Sequence, residues 1–159
     1  MNYNKYDNIS ISTDALSFKF VSRGAKGDME KIIQFSPFGN NDKIYNLSLC
    51  TIDEHGLEDF DTESKNGDRD KILGTIGSAA YSFSETNPDK IIYLEGNTPA
   101  KTRLYRMAIH TAHNEISKNF TIYGLNRVGD KLVPTPFIKG QDYTAFLFKR
   151  KAKNKQMID

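Results

Sequence analysis

Between Ile91 and Ile116 the chain reads IIYLEG, NTP and AKTRLYRMAIHTAHNEI, and it is here that its residue types come closest to a chemistry. A short apolar strand is expected to end at Gly96, and a helix to begin at once, with Thr98 as N-cap and Pro99 as first helical residue. The opening turns of that helix carry Lys101, Arg103 and Arg106. A helix N-terminus already bears partial positive charge, so cations gathered there without partners are unfavourable by about 0.3–1 kcal/mol each and point to a bound anion. Tyr105, Ile109, Ala112 and Ile116 recur as an apolar stripe, whereas Arg103, Arg106, His110 and either His113 or Asn114 share another face. Arginine suits bidentate contact with phosphate or carboxylate, and Thr98 with the amides near Gly96 and Asn97 would add neutral donors. The candidate phosphate or nucleic-acid site is therefore Gly96, Asn97, Thr98, Lys101, Arg103, Arg106 and His110.

Other chemistries find little in the chain. GNTPAKT lacks the second glycine and the Gly-Lys-Ser/Thr ending of a P-loop, and there is no G-x-G-x-x-G for a dinucleotide. No residues stand at the spacing of a catalytic set, so no catalytic residue and no cofactor is assigned, and whether the protein is an enzyme stays open. The acidic run Asp53, Glu54, Glu58, Asp59, Asp61 and Glu63, with His55, matches no calcium-loop spacing and reads as a solvated loop, so no metal site is assigned. The lone Cys50 has no partner for an internal disulfide and reads as a buried, inert thiol.

The net charge of +2 hides a segregation: residues 1–100 hold 10 Lys/Arg against 16 Asp/Glu, and residues 101–159 hold 12 against 4. A basic half of this kind fits an anionic partner. Five of the seven residues from Lys149 to Lys155 are basic and would attract any polyanion. The expected partner is single-stranded nucleic acid or another phosphate-bearing ligand. A homodimer is a further expectation, in which the acidic 53–63 stretch of one copy meets the basic helix of another. No apolar run approaches the roughly 20 residues of a membrane helix, and the N-terminal MNYNKYDNIS has no signal core, so a cytoplasmic location is expected.

The elements that must position these residues follow from periodicity. Leu16 to Ser22 alternates as a strand, RGAKGD turns, and EKIIQF returns as the second arm of a hairpin. Pro37 and Gly39 break the chain before a third strand, Ile44 to Ile52, and Asp53 to Lys65 reads as loop or poor edge strand. Asp68 to Glu85 carries a helical stripe of Ile72, Ile76, Ala80 and Phe83, widened by Leu73 and Ala79. The small residues Gly74, Gly77, Ser78 and Ala79 in its middle imply close approach to a sheet or a second helix. Then come a buried strand from Ile91 to Glu95, a helix from Thr98 to Lys118, and strands at Phe120 to Leu125 and Tyr143 to Lys149. Asn126 to Asp130 reads as a turn, and Pro134 and Pro136 are expected to interrupt a short strand at Leu132-Val133. Strands at both ends and helices between imply an α+β fold, a mostly antiparallel curved sheet with two helices on one face, in the order βββ(β)-α-β-α-βββ. A single domain is expected over 1–150, with a basic flexible tail at 151–159. The strand aromatics Phe18, Phe20, Phe35, Phe120, Tyr123, Tyr143, Phe146 and Phe148 read more readily as core than as a base-stacking platform.

The runs FKFVSRGAKGDMEKIIQF, NGDRDKILGTI, EGNTPAKTRLYRMAI and YTAFLFKRK resemble an uncharacterised family of small bacterial proteins, common in Bacteroidetes. That family's hallmark is a strand, Gly-Ser-Thr, two variable residues, Arg-Thr-Arg-Leu-Tyr and a helix, and the resemblance runs from about Leu16 to Lys151. Asn97 stands where the family has Ser, and Lys101 where it has Arg, which keeps a polar group and a positive charge but loses bidentate geometry at position 101. The family brings no assigned activity. A more remote likeness is that of LSFKFVSRGAKGDMEKIIQF to the curved hairpins of the Whirly and PUR proteins, which implies single-stranded nucleic-acid binding by fold-level analogy. The leading expectation is thus a non-enzymatic, single-strand-binding module. The alternatives are a protein or enzyme for a small phosphorylated ligand, held at Gly96 to Thr98 with His110 as acid or base, and an interaction module of a small operon.

Overall fold

The computed structural model describes residues 4–53, 55–56, 58–59 and 66–152. The chain is α+β. Its strands are β1 (Ser10–Ile11), β2 (Ser17–Gly24), β3 (Gly27–Phe38), β4 (Asn41–Ile52), β5 (Glu58–Asp59), β6 (Ile91–Leu94), β7 (Phe120–Val128), β8 (Lys131–Pro136) and β9 (Ala145–Arg150). Its helices are α1 (Arg69–Thr86), α2 (Pro99–Thr111) and α3 (His113–Ile116). Eight strands form one sheet in the order β1-β2-β3-β4-β6-β9-β7-β8, and β5 pairs with β4 off this path. Every pairing is antiparallel except β4 with β6, the two strands that α1 connects. β9 lies between β6 and β7, although both precede it in the chain.

The alternation of Phe18, Phe20 and Ser22 sets the hairpin register. Phe18 stands opposite Ile33, Phe20 opposite Lys31, and Gly24 opposite Gly27 across the Ala25-Lys26 turn. The face bearing Phe18, Ile33, Phe35, Leu47, Ile92 and Leu94 receives α1, which buries Ile76, Ala79 and Phe83 in the same cluster. Phe83 is fully buried and stacks on Phe35 at 4.2 Å and 5°. Six of the eight strand aromatics named above are buried: Phe18, Phe20, Phe35, Phe120, Tyr143 and Phe146. Cys50 is buried too.

The helical region differs from the expected single span. It breaks at Ala112, whose φ of −98° and ψ of 13° leave the helical range, and resumes as the one-turn α3. β7 continues through Asn126 to Val128, and the reversal falls one step later, at Gly129 with its φ of +64°. β8 runs straight through Pro134 and Pro136, which stand opposite Leu125 and Tyr123. The strand order explains this. β8 is the edge of the sheet, so a proline amide that cannot donate disrupts no ladder when it faces outward. The acidic 53–65 stretch lies mostly outside the described residues, although its Glu58–Asp59 pairs with Ile52 and Thr51 as an edge strand.

A polar clamp ties the hairpin to the start of α1. Asn66, 2% exposed, donates from Nδ2 to Ser22 Oγ at 3.1 Å and to the Gly27 carbonyl at 2.9 Å, and its Oδ1 accepts from the Lys26 amide at 2.7 Å. Asp68 precedes α1 but does not cap it with its side chain. Its carboxylate instead accepts from Ser22 Oγ at 2.6 Å and from the Tyr6 hydroxyl. A Cβ on Gly24 would collide with the Asn66 carbonyl, so the hairpin end approaches this segment as only glycine permits. Removing the Asn66 side chain strands buried donors and acceptors, each unfavourable by about 1–3 kcal/mol when unpaired. Asn66→Ala is expected to destabilise the protein by about 2–4 kcal/mol, read as a lower urea midpoint at unchanged m-value.

Candidate functional site

The junction from β6 to α2 is built as its residue types require. Thr98 is extended (φ −135°, ψ 157°), its Oγ1 accepts from the Lys101 amide at 3.1 Å, and Pro99 opens the helix. The Thr102 amide donates to the Thr98 carbonyl at 3.1 Å. Thr102, unremarked in the sequence, closes the junction. Its Oγ1 accepts from the Gly96 amide at 3.1 Å and donates to the Gly96 carbonyl at 3.4 Å. A Cβ on Gly96 would lie 2.7 Å from the Lys101 carbonyl carbon and still closer to the Thr102 amide nitrogen. The glycine is therefore required by the chain's own backbone packing, and the first-turn amides of Lys101 and Thr102 are directed to Thr98. Spacing alone carried a faint trace of this latch, a glycine six residues before a threonine.

Past this junction α2 has two working faces. Ile109 is buried and Tyr105 largely so, toward the sheet. Arg103 and His110 are exposed on the outward side. Arg106, with 20% of its side chain exposed, reaches the loop between β8 and β9, where its Nε lies 3.4 Å from Asp142 Oδ1. His113 stacks against Phe137 at 5.8 Å, and its Nδ1 is 3.4 Å from Ser117 Oγ. Loss of solvent lowers the His113 pKa, with Lys139 and His110 adding cationic repulsion. The structure thus brings Arg103, Arg106, His110, His113 and Lys139 together. Lys101 stands apart: two residues before Arg103, it lies about 200° around the helix. Asn97 and Thr98 are exposed at the helix start.

A cleft of about 850 Å³ lies on the inner side of α2, between it and α1, with the sheet as floor. Gly74, Gly77, Ser78 and Ala80 of α1 line it. These small residues line the cleft, although Gly74 itself is buried, and the second helix stands across the cleft from them. The cleft is lined by Tyr105, Ala108 and Ile109 of α2 and by none of residues 96–103. Burial raises the Tyr105 pKa above its ordinary value. Phe148 is half-buried beneath the helices and Tyr123 half-buried on the other side of the sheet, so the eight strand aromatics offer no exposed row for bases. Among the described residues no group of three or more His, Cys, Asp or Glu side chains is placed to hold a metal ion, and no helix is long and apolar enough to cross a membrane.

With this geometry in place the wider comparison is short. The chain belongs to the family of unknown function DUF6934, whose model matches residues 2–151. Neither curated proteins nor solved structures give a match.

Two outcomes follow. Gly96→Ala forces a methyl group into backbone and is expected to destabilise the protein by about 1–3 kcal/mol, measured by thermal and urea unfolding. His113, held below its ordinary value of 6.5, binds fewer protons folded than unfolded, so its contribution to stability is lost as pH falls through that region. Urea midpoints measured from pH 7.5 to 5 are expected to fall less steeply in His113→Gln than in the parent.

Proposed function

We propose that the protein is a non-enzymatic nucleic-acid-binding module that takes the phosphates of a single strand along the outward face of α2. One observation carries this reading: Arg103, Arg106 and His110 share that face, and His113 of α3 and Lys139 of the β8–β9 loop adjoin it. From Arg103 to His110 the row extends about 10 Å along α2. Among the described residues Arg103 and Lys139 supply free positive charge, Arg106 shares its charge with Asp142, and the histidine rings add N–H donors; affinity from such phosphate contacts is salt-dependent. The buried aromatics remove base stacking on the strands as a contribution, which leaves recognition to the backbone and weak in sequence preference. A small phosphorylated ligand at Gly96 to Thr98 would need a concavity at the helix start, and the cleft opens on the other side of α2.

Asp142 makes the reading testable in both directions, because it neutralises Arg106. With a labelled single-stranded oligonucleotide and anisotropy across a salt series, Asp142→Asn is expected to tighten binding several-fold. Arg103→Ala combined with Lys139→Ala is expected to weaken it at least tenfold and to flatten the log Kd against log salt slope by about 0.7 per lost contact. Lys101→Ala should change it less. Absence of binding at low salt, or affinity unaltered in the double variant, overturns the proposal.

A further inference from the structure

The cleft between α1 and α2 plays no part in phosphate contact, and its lining is of another kind. Its floor is Leu47, Ile92 and Leu94, which are buried, and Phe148, which is half-buried; none of them carries charge. Among the described residues, the charged ones that line it, Lys5, Asp7, Lys71 and Glu115, are exposed and of both signs in equal number. The Lys71 ammonium lies over the Tyr6 ring at 4.4 Å. On the α1 side Gly74, Gly77 and Ser78 withhold side-chain volume, although glycine within a helix is unfavourable by about 1 kcal/mol relative to alanine. The result is a space of about 850 Å³, the size of the pockets that hold drug-sized ligands.

Tyr105 supplies the second, independent observation. Its ring packs with the apolar clusters on both sides of the cleft, and it lines the cleft. Its hydroxyl has no hydrogen-bond partner among the described residues, yet no fully buried side-chain nitrogen or oxygen among them lacks one. The hydroxyl therefore keeps some accessible surface, on a residue that lines the cleft. A phenol placed against apolar walls calls for a hydrogen-bonding partner, and an ion there would lose its hydration without a counter-charge on the floor.

We infer that the cleft between α1 and α2 is a binding site for an uncharged, largely apolar small molecule that carries a hydroxyl or carbonyl group to pair with Tyr105. The glycines of α1 provide the room, the sheet residues provide the apolar contact, and Tyr105 provides orientation.

The neutral dye N-phenyl-1-naphthylamine, which brightens in apolar surroundings, tests the site directly. Its fluorescence is expected to rise saturably with one site per chain. Gly77→Leu places bulk in the cleft while improving helix propensity, so dye affinity is expected to fall at least tenfold with an unchanged or higher Tm. Ala80→Leu fills the same space and serves where Gly77→Leu does not fold. 2-Naphthol is expected to displace the dye better than naphthalene, and Tyr105→Phe to abolish that preference while keeping dye binding. No saturable signal, or a signal unaltered in the filled variants, overturns the site. Equal competition by the two naphthalenes in the parent protein overturns the role of Tyr105. Arg103→Ala leaves dye binding unchanged, which separates this site from the outward face.

Discussion

The contact of Gly96 with Thr102 is the constraint on which the candidate surfaces depend. A strand that ends against the first turn of the following helix, with no side chain between them, fixes that helix in rotation as well as in position. Thr98 and Pro99 set where α2 begins, and the glycine contact sets which way it faces. With the rotation fixed, Tyr105 and Ile109 turn toward the sheet and Arg103 and His110 away from it. A helix of intermediate amphipathicity would otherwise have several acceptable orientations, because its inward stripe is only modestly apolar.

The two halves of the molecule are secured differently. On the α1 side, hairpin and helix are joined by the Asn66 and Asp68 side chains, which satisfy one another through Ser22 and leave no fully buried polar side-chain atom unpaired among the described residues. On the α2 side, Phe137, Tyr143 and Phe146 form an aromatic group under Ile109, and Tyr143 also holds the Ile138 amide through its hydroxyl at 3.0 Å. Gly124 exists for that ring, since a Cβ there would strike Tyr143. Between the two halves a cleft opens between the helices, above Leu47, Ile92 and Leu94, which are themselves buried.

Much of this was legible in the residues, and the reasons for the remainder are physical. The alternation from Leu16 to Ser22, the stripe from Ile72 to Phe83 and the Thr98-Pro99 start each rest on a local rule, and each formed as read. Pro134 and Pro136 misled because a proline reports a missing amide but not whether its strand lies at an edge, which is decided by distant partners. Of the small residues of α1, Gly74 and Ala79 are buried, Ala79 in the cluster with the sheet as close approach requires, whereas Gly77 and Ser78 are half-buried at the cleft, which spacing alone does not distinguish. The Arg103, Arg106 and His110 face could be read from helical spacing, whereas the pairing of Arg106 with Asp142 and the approach of Lys139 to His113 could not, because both cross from α2 to a loop some 30 residues on.

The placement of β9 has a consequence for how the chain reaches this structure. Residues 1–128 contain β6 and β7, yet these two strands do not touch, since the place between them belongs to residues 145–150. Without that segment β6 and β7 would each present an edge of unpaired amides and carbonyls, and such edges invite pairing with other chains. Assembly is thus concluded by an insertion across long sequence separations, a closure that is slow compared with the hairpins on either side. Loss of β9 would therefore bare two interior edges of the sheet at once.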